Sequence, residues 1–166
     1  MVAVGSVAPD FTLPTDEGVA LRLRALRGRP VVLYFYPADD TETCTKEACA
    51  FRDLFPRFDA SGAAVLGVSP DDVPSHAKFR AKHALPFTLL ADTAHKVAER
   101  YGVWRQKTTF GRTYMGVVRT TFVIDGAGRV AHVFDVTRVA GHADEVARAI
   151  DALGTDRALP RRARRS

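Results

Sequence analysis

The sequence predicts an α/β layered fold, and three observations predict it. Apolar β-branched runs at 31–36 and 63–69 are each followed by a segment of helical character. Two further strand-like runs, 121–125 and 129–135, flank Gly126-Ala127-Gly128 and read as a hairpin. An amphipathic stretch from Ala143 to Leu153 then closes the domain. Strand, helix, strand, helix, hairpin and helix in that order is the pattern of a sheet covered by helices.

Each element has a local reason. Pro9 to Leu13 is a short extended segment, and Asp16-Glu17-Gly18 turns the chain into a second one at Val19–Leu23. Gly28-Arg29-Pro30 leads into Val31-Val32-Leu33-Tyr34-Phe35-Tyr36, a continuous apolar run suited to a strand buried on both faces. Pro37 ends that strand, because its ring nitrogen has no hydrogen to give a neighbour. Ala38-Asp39-Asp40 forms a polar turn, and Thr41 or Thr43 is placed to cap a helix by accepting from a free N–H of its first turn.

That helix is expected from Cys44 to about Phe58, with Ala48, Phe51, Leu54, Phe55 and Phe58 on its apolar face and Pro56 kinking or shortening its end. Ala63 to Ser69 is a second buried strand. Pro74 opens a helix running to about His83, where the missing N–H costs nothing. Pro86 to Leu90 reads as a short strand, and Thr93 to Tyr101 as a short helix. No internal repeat is visible.

Bulk properties narrow the function classes. A chain of 166 residues, 46% apolar and 26% charged, is one globular domain with room for a normal core. No apolar run approaches the roughly 20 residues that span a bilayer, and Met1 to Ser6 does not read as a secretory signal. The net charge is +5, but Arg161, Arg162, Arg164 and Arg165 supply four of it, leaving +1 for residues 1–160. The body is thus nearly neutral. Residues 1–155 are expected to form the domain and 156–166 a basic, flexible tail. Two cysteines are too few for a disulfide-stapled secreted scaffold; a functional pair in a reducing cytoplasm fits better.

Those cysteines carry the chemistry. Cys44 falls in the first turn of its helix, near the positive end of the dipole and free backbone N–H groups. Thiols so placed ionise roughly 1–5 units below the free value of about 8.5, and the thiolate is the nucleophile. Cys44 is therefore the candidate attacking group and Cys49 its candidate partner. Five residues of ideal helix put their Cα atoms roughly 8–9 Å apart, beyond the limit of about 7 Å for a disulfide. The two sulfurs can join only if that turn unwinds, which predicts a helix when reduced and local unfolding when oxidised.

At these residues the chain resembles the peroxiredoxins, most closely the Q-type, or bacterioferritin-comigratory-protein, subfamily. The resemblance rests on the strand and Tyr36-Pro37, then Thr41-x-x-Cys44 and Glu47-Ala48-Cys49. It extends over Ala8-Pro9-Asp10-Phe11-Thr12-Leu13, Val68-Ser69-Pro70-Asp71, Tyr101-Gly102-Val103-Trp104 and Arg119-Thr120-Thr121-Phe122-Val123-Ile124-Asp125, about residues 3–153 in all. It implies a thioredoxin-like fold with a central mixed sheet flanked by helices. It implies a thiol-dependent peroxidase with no cofactor and no metal, acting on hydrogen peroxide and organic hydroperoxides as a monomer. Cys44 would become a sulfenic acid, Cys49 would condense with it to a disulfide, and thioredoxin or a glutaredoxin-like protein would reduce that bond. If Cys49 were only core, an external thiol would resolve the sulfenic acid instead.

The resemblance also assigns supporting roles. Thr41 would bond the incoming peroxide besides capping the helix, and Pro37 would shield the Cys44 sulfur from water. Arg119, just before a strand expected beside the active-site helix, would stabilise the thiolate and the charge developing on the leaving oxygen. Glu47, three residues after Cys44 on the same helix face, would orient Arg119. Trp104 and Tyr114 either line the substrate mouth or pack. Gln106 stands where the subfamily usually has glutamate and Thr120 where it usually has serine, and the arginine-rich tail is no family feature.

Other readings use other features. The five histidines, His76, His83, His95, His132 and His142, show no base or ligand spacing and read as surface or satisfied side chains. Cys44-x-x-x-x-Cys49 does not match zinc-ligand spacings. A thioredoxin-like disulfide oxidoreductase would need Cys-x-x-Cys, and by resemblance a proline where Arg119-Thr120-Thr121 stands. A nucleic-acid binder would rest on the tail alone, and a peroxide sensor would use the same cysteines.

Overall fold

The computed structural model describes the backbone of residues 1–165 and the side chains of residues 1–154. Its centre is β3 (Val31–Phe35), buried along its whole length. The strand sends alternate residues to opposite faces of the sheet, and both faces are covered. Val32, Tyr34 and Tyr36 enter one core, while Val31, Leu33 and Phe35 enter a second.

Around it, β4 (Ala64–Ser69) and β5 (Thr88–Ala91) run parallel on one side. β8 (Thr120–Ile124) and β9 (Val130–Asp135) run antiparallel on the other, giving the order β5-β4-β3-β8-β9. This is the expected mixed sheet. Short strands β1 (Thr12–Pro14) and β2 (Ala20–Arg22) pair with each other, and a 3-10 turn, Leu23–Leu26, follows.

The first core holds α1 (Glu42–Ala60), α2 (Val73–His83) and α4 (His142–Arg165) against the sheet, through Phe51, Phe58, Phe79, Val146 and Ile150. The second core lies under α3 (Lys96–Tyr101), with Phe11, Tyr101, Val103 and Phe122 packed together. Tyr101 rings lie 5.1 Å from Phe122 and 5.3 Å from Phe35, in edge and tilted contacts that add to the burial. None of the described helices is long and apolar enough to cross a membrane. The expected basic tail, 156–166, lies outside the residues whose side chains are described.

Local details refine or correct these expectations. α1, expected to about Phe58, runs on past Pro56 to Ala60; Phe51 and Phe58 on either side of the proline are both fully buried and hold the segment in place. α3 begins at Lys96 rather than Thr93: the buried Asp92 carboxylate accepts from the N–H groups of Val97 and Ala98 and fixes the start there. Thr41 is the N-terminal flanking residue of α1, but its side chain makes no capping bond, and Thr43 lies inside the helix. Residues 102–120, unassigned from the sequence, contain a hairpin of β6 (Trp104–Thr109) and β7 (Arg112–Val117). Its outer part is exposed on both faces, so it has no apolar alternation to read. Phe110 and Gly111 turn it with φ of 51° and 76°, the left-handed pair that two-residue hairpin loops require.

Candidate active site

Where β3 ends, the chain turns through Pro37 to Thr41 and enters α1. Cys44 is the third residue of that helix and is buried, 2% exposed. Its N–H is one of those that the first helical turn leaves without an intrahelical partner. Thr41 leaves them so: its hydroxyl donates to Ala38 O at 3.3 Å instead of accepting from the helix. Pro37 is half-buried between the strand end and the turn.

Arg119 reaches this helix from the start of β8. Antiparallel pairing sets Thr120 opposite Phe35, which brings the residue before β8 to the end of β3 where α1 begins. Its Nη2 donates to Cys44 Sγ at 3.2 Å and its Nη1 to Glu47 Oε1 at 2.6 Å. One guanidinium thus bridges the thiol and the carboxylate that Cys44 and Glu47 present from one helix face. Burial works against charge on Arg119, yet Glu47 and the Cys44 sulfur together raise its pKa above the ordinary value.

Glu47 is itself 1% exposed, and its second oxygen, Oε2, is buried without a hydrogen-bond partner. Burial pushes its carboxyl from 4.5 up to about 7, against the opposing pull of Arg119. A buried ion pair of this kind is weak evidence for stability, since desolvation consumes much of the Coulombic gain. Tyr34 lies beneath. Its ring packs 4.7 Å from Phe51, its hydroxyl also lacks a partner, and burial holds its pKa well above the usual phenol range. Behind Arg119, His142 packs edge-on against Phe51 and bonds Thr121 Oγ1 at 2.8 Å, and burial lowers its pKa.

Cys49 lies one and a half turns further along α1, half-buried, and both cysteines are free thiols in an intact helix. The helical form expected of the reduced chain is the form observed. The structure brings Cys44, Glu47 and Arg119 into contact, with Thr41 and Pro37 on the approach and Cys49 on the same helix.

Trp104 is placed for packing. It stacks on His95 at 3.9 Å and lies against the second core. Tyr114 sits on the exposed hairpin, its hydroxyl 3.2 Å from Thr109 Oγ1. His76, read from sequence as surface or satisfied, is satisfied and fully buried. Nothing in the chain's local pattern points to its partner, Asp39, which sits 37 residues away and reads only as part of a polar turn.

Asp39, Asp71 and His76 converge closely enough to hold a cation. Their polar atoms are already committed to one another and to neighbours: Tyr36 and Ser75 donate to Asp39, and Ser69 and the Asp39 N–H donate to Asp71. The cluster is a hydrogen-bond hub.

Known proteins resemble this chain over the same residues. A putative peroxiredoxin Bcp of Coxiella burnetii is 51% identical over 145 residues, 87% of this chain and 96% of that protein. Peroxiredoxin Bcp of Bacillus subtilis is 45% identical over 144 residues, 87% of this chain and 92% of its own length. Among solved structures, the bacterioferritin comigratory protein of Xanthomonas campestris, described for its alkyl peroxide reduction activity, superposes with a TM-score of 0.83 at 38% identity, covering 87% of this chain and 92% of that one. Residues 4–133 match the AhpC/TSA family, and with relatives this similar over most of its length, the chain belongs to that family, alongside its Bcp and Q-type peroxiredoxins.

Proposed function

We propose that the protein is a peroxidase in which the Cys44 thiolate attacks hydrogen peroxide or an organic hydroperoxide. The S–O bond forms as the O–O bond breaks, giving a Cys44 sulfenic acid and, once its oxygen takes a proton, water or an alcohol. The Cys49 thiol then condenses with the sulfenic acid, releasing water and forming the Cys44–Cys49 disulfide. A dithiol protein, thioredoxin or a glutaredoxin-like protein, reduces that bond by exchange. Family membership supports the reaction class. The single observation that carries the residue assignment is Arg119, which holds a fixed positive charge at 3.2 Å from the sulfur.

The geometry supports a role for each residue. Arg119 opposes negative charge on sulfur before attack and on the departing oxygen during it, where preorganised donors act most strongly. Glu47 fixes the guanidinium by holding Nη1, so Nη2 faces the sulfur. The Thr41 hydroxyl donates to Ala38 O and accepts nothing from the helix, so its oxygen is available to accept from the peroxide, and Pro37 shields the sulfur. The free, helical thiols suit a reducing cytoplasm, with the chain acting as a monomer.

The test is peroxide consumption coupled to thioredoxin and its reductase. Wild type turns over, Cys44→Ser is inactive, and Cys49→Ser reacts once but recycles slowly. Activity retained in Cys44→Ser, or insulin reduction without any peroxide, overturns the reading in favour of a disulfide oxidoreductase. Removal of residues 159–166 leaves the peroxidase rate unchanged; loss of that rate overturns the separation of tail from function.

A further inference from the structure

Asp39 is tied down from every side. Its side chain is only 4% exposed although it sits in the turn before α1. Oδ1 accepts from the Tyr36 hydroxyl at 2.6 Å, and Oδ2 accepts from the Ser75 hydroxyl at 2.8 Å. Its backbone N–H donates to Asp71 Oδ2 at 2.8 Å, and Asp71 is held in turn by Ser69.

The remaining partner is His76 in the first turns of α2, with Nδ1 at 2.8 Å from Asp39 Oδ2. The other ring nitrogen, Nε2, lies 2.9 Å from Leu90 O. A carbonyl oxygen can only accept, and a carboxylate already accepting twice is an acceptor as well. Each imidazole nitrogen therefore faces an oxygen, and the ring is held at both ends. His76 is fully buried, so this pairing is shielded from water and competing salt. One side chain thus joins the active-site turn, α2 and the edge strand β5. A second, exposed tie reinforces it: Lys82 near the end of α2 donates to both oxygens of Asp40.

We propose that Asp39 and His76 are positioning residues that set the balance between the helical form of α1, which meets peroxide, and the unwound form, which closes the Cys44–Cys49 disulfide. This rests on the roles given to those cysteines above. The turn from Pro37 to Thr41 leads into the helix that presents Cys44 to Arg119. Unwinding the first turns of α1 must pull on that turn, and the Asp39–His76 pairing is what resists the pull. Weakening it misplaces the reacting sulfur and lowers the cost of unwinding at once, so the two chemical steps change in opposite directions.

The experiment follows Cys44 by rapid quench, thiol alkylation and mass spectrometry in wild type, Asp39→Asn and His76→Gln. Sulfenic acid formation is expected to slow roughly tenfold, and its conversion to the disulfide to quicken about threefold. At high peroxide, less Cys44 then reaches the sulfinic acid, because the sulfenic acid is consumed sooner. Val146→Ala, a core substitution in α4, controls for general loss of stability. The proposal is overturned if both steps keep their wild-type rates in the folded variants, or if both slow together as in the control. Should neither variant fold, Ser75→Ala removes one bond to Asp39 alone and is expected to shift both steps in the same senses by less; an unchanged balance there overturns the proposal. A wild type that forms no Cys44 sulfenic acid removes the basis of both readings, whereas one that turns over with unaltered variants removes this one alone.

Discussion

Arg119 Nη2 lies 3.2 Å from Cys44 Sγ although 75 residues separate them in the chain. The contact depends on antiparallel pairing of β8 with β3, which brings the start of β8 to the end of β3 at the foot of α1. Sulfur and guanidinium are thereby held in place before any substrate arrives.

Arg119→Ala is expected to lower kcat/KM for peroxide by roughly 10²–10³-fold, the loss typical of one preorganised donor. Arg119→Lys recovers little, since a single ammonium cannot hold both Glu47 and the sulfur as the fork does. Stopped-flow measurement of peroxide reduction checks this, and wild-type rates in the alanine variant would remove Arg119 from the mechanism.

Glu47 makes stability depend on pH with a definite sign. Its folded pKa, about 7, is above the 4.5 of a free carboxyl, so the folded protein binds the extra proton between these values. This contribution is fully present below pH 4.5 and is lost as pH rises through about 7, a change of at most on the order of 3 kcal/mol. Glu47→Gln cannot titrate. Its Tm relative to wild type should therefore climb between pH 4.5 and pH 7.5, and a constant difference across that range would contradict the shift.

Oxidation should cost helix. One equivalent of peroxide is expected to produce a modest, reversible loss of helical circular dichroism in the wild type, absent in Cys49→Ser. The reason is the spacing: five helical residues hold the Cα atoms roughly 8–9 Å apart, too far for a disulfide. An unchanged spectrum in a protein shown to be disulfide-bonded would refute the unwinding.

Gly67 in β4 lies beside the platform under the site. A Cβ there would come within 2.9 Å of Leu89 Cδ2 and of the Tyr34 ring and hydroxyl. Gly67→Ala should destabilise the fold by about 1–3 kcal/mol, as overpacked cores do. Because Tyr34 packs on Phe51 of α1, peroxide reduction should slow as well. Thermal unfolding and the peroxide assay together check both effects.

Much of this protein is legible in its sequence. The all-apolar run of β3, the proline that stops it and the threonine-led entry to a helix place Cys44 in a first turn, because these are local effects of backbone sterics and hydrogen bonding. The five-residue spacing of Cys44 and Cys49 dictates by itself that a disulfide must break the helix. Tertiary structure decided the rest. Whether Thr41 spends its hydroxyl on the helix or on Ala38, and how far α1 persists past Pro56, depend on packing around them. That a turn aspartate meets a histidine 37 residues on, and that the Glu47 carboxyl lies buried beneath Arg119, depend on which strands pair and which helix covers them. Long-range contacts of this kind leave no periodicity in the chain, for they are fixed only when the sheet order brings the partners together.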